Sequence, residues 1–564
     1  MNFNDFKYVR PNMDEVEQTF NVALEKFKNA ATPAEQDAAM KEIIAIQRTV
    51  DTAFNIGFIR HTVDTNDEFY KEEQDYLDEI QPLVQGLTTT YYDALVHSKF
   101  RTDLENKWGK QLFDFAEFQL KTFSPDVVED LQMENKLSSE YTKLVASAKI
   151  MFEGEERTLA QLQPFMESTD REMRKKANEV RFAFFKEHQA KFDDIYDQLV
   201  KVRTQIAHKL GYKNFVELAY VRMSRTDYNA EMVANFRDQV KEYIVPLSVK
   251  LRERQAERIG LDSLKYYDES FRYKTGNAVP KGDPEWIIEN GKKMYEELSA
   301  ETKEFFDYMI DTNLIDLVAK KGKAGGGYCT YISDYQAPFI FSNFNGTSGD
   351  IDVLTHEAGH AFQVYSSRHF EVPEYNWPTY EACEIHSMSM EFFTWPWMEL
   401  FFKEDTDKYK FAHLSEALLF LPYGVAVDEF QHFVYENPDV TPAERNKAWR
   451  EIEKKYLPLR DYDGNEYLEA GGFWQRQGHI YTTAFYYIDY TLAQICAFQF
   501  WKKSRENHDE AWADYVHLCK QGGSKPFTEL VKVANLLSPF EEGTVQSVVG
   551  EIEAWLNSVD DKQL

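Results

Sequence analysis

Cysteine is scarce: the 564 residues hold four, Cys329, Cys383, Cys496 and Cys519. They are too scattered for a disulfide framework or a cysteine-type zinc cluster, and they point to a reducing, cytoplasmic setting. Basic charge is also short, with 64 Lys and Arg against 95 Asp and Glu and a net charge of −31, which sets most of the surface against a nucleic-acid backbone. Long apolar runs are missing. The most apolar, Ala417 to Val427, contains Pro422 and Gly424 and falls well short of the ~20 residues that cross a bilayer. Met1 to Asp5 has no basic end leading into an apolar run, so no signal peptide is expected. Fixed-period repeats and low-complexity segments are absent. These absences leave a cytoplasmic globular protein without a nucleic-acid or membrane partner.

What is present reads as helix after helix. Val16, Phe20, Ala23, Leu24 and Phe27 form one apolar stripe, and Thr32-Pro33-Ala34-Glu35 is a capping box opening the next helix. Thr169-Asp170-Arg171-Glu172 reads as a second. Residues 148 to 159 alternate around Gly154 like a small hairpin. A lobe boundary is expected near 160, giving an N-terminal helical lobe, 1–160, and a catalytic region, 161–564. Tyr266 to Pro284 reads as a long excursion between helices that could border a substrate channel. Lys320 to Gly327 lacks the Gly-Lys-Ser/Thr ending of a phosphate loop and suits a flexible connection better.

The chemistry centres on Thr355-His356-Glu357-Ala358-Gly359-His360. On a helix, His356 and His360 share a face and can aim their imidazoles at one ion, while Glu357 lies beside that axis. Such a site holds zinc with three protein ligands and a water, from which Glu357 would take a proton. Ala337 to Phe344 reads as a strand ahead of this helix, its leading proline favouring an edge or a strand start, and a free edge would suit pairing with an extended peptide. Gln363 and Ser366 stand where a metzincin needs Gly and His, which excludes that class. For the third ligand, spacing leaves His369, Glu371, Glu374, Glu381, Glu384, His386 and Glu391 open. Farther on, Glu469 to Tyr490 holds three Gly, four Tyr and one His, His479. Amide hydrolysis passes through an oxyanion, and His and Tyr are the neutral donors that could stabilise it.

The pentad with glycine in its fourth position, followed by a glutamate on a helix ending Ser389-Met390-Glu391, resembles the thimet oligopeptidase and oligoendopeptidase F family. The chain length and Gly211-Tyr212-Lys213-Asn214 fit its smaller bacterial members, among them Pz-peptidases acting on collagen-derived peptides. The resemblance implies a mainly α-helical zincin with a small β-sheet beside the pentad helix and a deep channel. It also implies one Zn2+ per chain and endopeptidase activity on short oligopeptides. Carried over, it makes His356, His360 and Glu384 the ligands and Glu357 the base, with Asp352 orienting an imidazole and Glu381 and Glu391 weaker candidates for such support. It makes His479, Tyr481 and Tyr490 the oxyanion donors, ahead of Tyr486 and Tyr487. The family commonly has a further His where this chain has Gln363. Two alternatives stand beside this reading: a zinc carboxypeptidase using Arg476 to hold the terminal carboxylate, and a peptide-binding protein without turnover.

Overall fold

A computed structural model describes residues 2–564. Helices dominate, and the strands form two small sheets. β1 (Ile150–Phe152) and β2 (Glu155–Arg157) make the expected hairpin around Gly154, whose φ of 80° is the left-handed turn that glycine accommodates. Thr32 caps the helix Pro33–Val63 by accepting from the Glu35 amide. At the second expected box the cap is Asp170, not Thr169, and its carboxylate accepts from Glu172 N.

The second sheet comprises β3 (Ile315–Val318), β4 (Tyr328–Ile332) and β5 (Ala337–Phe344), in the order β3-β5-β4. β5 pairs parallel with β3 and antiparallel with β4, so it is the central strand, with Pro338 at the strand start and without the free edge expected for a substrate. Its near-continuous burial explains why: Pro338, Phe339, Ile340 and Phe341 are apolar on both faces, as a strand covered on both sides requires. β3 and β4 are the two edges of this sheet.

From β5 the chain turns through Asn345-Gly346-Thr347 into the pentad helix, Gly349–Ser367. The Asp350 carboxylate ties down that turn, accepting from the Asn345 and Gly346 amides at 2.9 and 2.8 Å. Ile351, Leu354, Ala358, Ala361 and Phe362 are buried, fixing the helix in the core. Behind it lies the glutamate helix, Tyr380–Phe393, itself packed on the long helix Ile488–Glu506. The main core runs through most of the chain. A second cluster joins Phe20, Leu24, Phe27, Met40, Tyr91 and Phe113 of the N-terminal helices to Val372 and Tyr375, just past the pentad helix.

Candidate metal centre

The imidazoles of His356 and His360 converge with the Glu384 carboxylate, and the ligand atoms all lie within 4.8 Å of one another. Glu384 Oε2 is 3.2 Å from His356 Nε2 and 3.3 Å from His360 Nε2. A tetrahedral ion with bonds of about 2.0–2.1 Å holds neighbouring ligand atoms about 3.3 Å apart, so the spacing fits such a centre. Burial opposes ionisation of Glu384, but the two imidazoles outweigh it and hold its carboxyl well below the usual range.

Two packing features set this geometry. Gly359 lies where the pentad and glutamate helices touch; a Cβ there would be 2.6 Å from both His386 O and Ser387 Cα. Glu391, two turns beyond Glu384, takes His356 Nδ1 at 2.7 Å and His413 Nε2 at 2.7 Å, which fixes the His356 ring and leaves its Nε2 facing Glu384. Asp352 does not orient an imidazole as expected; it accepts from Tyr409 OH at 2.6 Å.

None of the remaining third-ligand candidates joins this cluster among the described residues. His369 is exposed, Glu371 pairs with Lys41 at 3.0 Å, and Glu374 accepts from Tyr92 OH at 2.7 Å. Glu381 accepts from Thr379, and His386 is buried beside Tyr515.

Glu357 is buried, and its Oε2 has no hydrogen-bond partner among the described residues. Burial raises its pKa, His356 and His360 oppose the rise, and Glu384 and Glu391 reinforce it, leaving the carboxyl above its ordinary range. Gly327, immediately ahead of β4, lies against it: a Cβ on Gly327 would lie 3.1 Å from Glu357 Oε1. The glycine-rich connection therefore brings the residue ahead of β4 against Glu357.

The opposite wall comes from residues 477–490. Tyr486 OH donates to Glu384 Oε1. Tyr423 OH donates to Gln477 Oε1 at 2.8 Å, which turns the Gln477 amide nitrogen to His479 Nδ1 at 2.9 Å. His479 Nε2, then carrying the proton, faces Tyr490 OH at 3.0 Å, leaving the phenol proton free to donate outward. Burial depresses His479 to about 4, so its imidazole is neutral. Tyr481 is not part of this wall. Two residues past His479 on a short helix it points the other way, fully buried and stacked on Tyr141 with centroids 4.0 Å apart. Sequence reasoning missed His413, Tyr409, Tyr423 and Gln477, which carry no motif and reach the site only through the fold.

Beside the centre lies a cavity of about 360 Å3 lined by Asp352, Glu391, His413, His479, Tyr487 and Tyr490, among others. Arg272, Tyr273, Asn277 and Ala278 form another part of its wall, so the 266–284 excursion does border the site.

Comparison with known proteins agrees with this architecture. The Peptidase M3 N-terminal domain profile matches residues 3–123 and the Peptidase family M3 profile residues 164–549. The solved structure of Pz peptidase A with an inhibitor is 74% identical with a TM-score of 0.99, over 99% of this chain and 100% of that one. A Bacillus anthracis structure assigned to oligoendopeptidase F is 64% identical with a TM-score of 0.95, over 100% and 99% of the two chains. The oligoendopeptidase F homolog of Borreliella burgdorferi is 24% identical over 375 residues, 64% of this chain. Group B oligopeptidase PepB of Streptococcus agalactiae is 24% identical over 374 residues. The matched stretch spans 61% and 59% of those two relatives' lengths. With its main profile covering more than half of the sequence, the chain belongs to peptidase family M3.

Proposed function

We propose that this chain is a zinc-dependent endopeptidase cleaving internal bonds of short oligopeptides, with collagen-derived peptides among its substrates. The observation that carries the reading is the tetrahedral spacing of His356, His360 and Glu384 beside the unpartnered Glu357 carboxylate. Two imidazoles and one carboxylate are a donor set that suits zinc, and the three side chains would hold one ion. Bound there, zinc would polarise the scissile carbonyl and acidify water.

The chain's own groups supply the rest. Glu357, its basicity raised by burial, takes the proton of the attacking water and delivers it to the leaving amine. Tyr490 donates to the developing oxyanion, held in place by neutral His479. The free edge of β4 offers backbone partners to an extended substrate. An internal cavity favours short unfolded peptides over folded proteins. The same proposal includes the division into 1–160 and 161–564, a cytoplasmic location, and no nucleic-acid or membrane partner. No helix among the described residues is long and apolar enough to cross a membrane.

The test is hydrolysis of a peptide blocked at both ends, with and without chelator, by the wild-type protein and Glu357→Gln. Expected are chelator-sensitive cleavage at an internal bond and a loss of ~10²–10⁴-fold in the variant with zinc still bound. Trimming confined to unblocked carboxyl ends would instead establish a carboxypeptidase. Unchanged hydrolysis by the variant would remove Glu357 from its role, and no hydrolysis by metal-loaded wild type would leave a peptide-binding protein.

A further inference from the structure

Gln494 lies one helical turn past Tyr490 on the helix Ile488–Glu506, so the two side chains share a face, and both line the cavity beside the candidate metal centre. Six glutamines are buried among the described residues: Gln36, Gln255, Gln363, Gln431, Gln475 and Gln494. The first five each donate through Nε2, to Phe27 O, Phe271 O, Ser367 Oγ, Val427 O and Asp193 Oδ1. Gln494 alone of the six, at 5% exposure, leaves its Nε2 without a partner. Native interiors pair almost all such groups, so an amide left over in the wall of a cavity points to an acceptor that enters that cavity.

The rest of the lining decides what that acceptor is. Asp352, Glu391 and Glu416 put three carboxylates on the cavity wall, and Arg272 on the same wall already pairs with Glu416, Nε to Oε1 at 3.1 Å. An anionic acceptor would be repelled there, and an ammonium has no acceptor to offer. A neutral carbonyl meets both conditions, and every residue of a peptide brings one. The terminal amide of glutamine turns about a broad, two-fold torsion, so Nε2 can swing toward the cavity with the rest of the side chain in place. Distance selects the carbonyl. Four residues of helix advance ~6 Å and an extended peptide covers ~3.3–3.6 Å per residue, so the group facing Gln494 lies about two residues from the one facing Tyr490.

We propose that Gln494 holds a main-chain carbonyl of the peptide substrate, about two residues from the scissile bond, through a hydrogen bond donated by Nε2. This rests on the endopeptidase reading, with Tyr490 at the scissile carbonyl. The contact is blind to side-chain identity. It sets the register of the bound peptide, so that one bond at a time meets Tyr490 and Glu357.

The test uses a short peptide blocked at both ends and two isosteres of it, in which a trans-alkene replaces the second peptide bond before, or the second after, the cleaved one. The alkene keeps the planar shape and removes the carbonyl. With the wild-type protein, one isostere should raise KM ~3–10-fold with little change in kcat, the scale of one neutral hydrogen bond made equally in ground and transition states. Gln494→Met, close in size but without the donor, should raise the parent peptide's KM by a similar factor, and the sensitive isostere should then cost nothing more. A purely structural role would weaken turnover of all three peptides together and leave the isostere's penalty intact in the variant, which overturns the assignment. Equal KM values for all three peptides in the wild type overturn it as well, in a comparison that needs no variant to fold. If the metal-loaded wild type does not cleave the parent peptide at all, the endopeptidase reading falls and this inference falls with it.

Discussion

Glu391 accepts from two imidazoles at once, and only one of them belongs to the proposed metal set. Glu391→Gln keeps the shape but must turn its amide nitrogen toward one ring, so His356 loses a fixed orientation. Zinc affinity measured by chelator competition should fall ~10–100-fold; an unchanged affinity would mean the pentad helix alone sets the ring. The two tyrosines carried over by resemblance part company here. Tyr490→Phe removes the donor at the end of the Tyr423-Gln477-His479 relay and should lower kcat ~10²–10³-fold with little change in KM. Tyr481→Phe deletes a hydroxyl that reaches only Phe192 O, at 3.4 Å, and should leave kcat alone. The pH profile tests the partner. His479, ordinarily near 6.5, is held to about 4 in the folded state. Its contribution to stability is therefore full above pH 6.5 and is lost as pH falls through about 4. Being neutral throughout the working range, it should not set the acid limb of activity. In the proposed mechanism that limb belongs to Glu357, whose raised pKa should make the rate fall on acidification. His479→Gln should lower the plateau and leave the acid midpoint in place; a moved midpoint would give His479 the proton transfer.

At the scale of elements, Gly359 shows why the pentad carries its glycine. Alanine would favour the isolated helix by ~1 kcal/mol. In the fold the same methyl collides with the backbone of the glutamate helix, at 2.6 Å from His386 O, and cannot be relieved by rotating a side chain. Gly359→Ala should cost ~1–3 kcal/mol and shift Glu384 away from the imidazoles, lowering both Tm and zinc content; a more stable variant with full metal would refute the close-contact argument. The helices themselves were legible in the sequence because 3.6-residue periodicity and caps such as Thr32 are local. The pentad was legible for the same reason. The place of β5 was not: Pro338 favours an edge by its missing donor, but the continuous apolar run meant a covered central strand. Tyr481, carried over by resemblance, lies buried against Tyr141, because a match to the family in this stretch does not fix which side of a short helix faces the site.

Across the whole molecule, the proposed centre would cross-link the pentad and glutamate helices, and its surroundings are assembled from residues far apart in sequence. Arg272, His413 and Tyr490 meet around one cavity, a convergence that no local pattern encodes. The ion's contribution should nonetheless appear as a modest thermal shift. Zinc bound to the native state alone stabilises by RT ln(1 + [Zn]/Kd), ~4 kcal/mol at a thousandfold excess over Kd. A chain of 564 residues unfolds with an entropy of ~1.2 kcal/mol/K, so the same stabilisation raises Tm by only ~3 °C. Chelated protein should melt at that lower temperature, and returning zinc should raise Tm with the logarithm of its concentration. In His356→Ala, which loses one of three ligands, the zinc dependence should vanish over the same range. A Tm indifferent to zinc in the wild type, or an identical dependence in His356→Ala, would place the metal elsewhere.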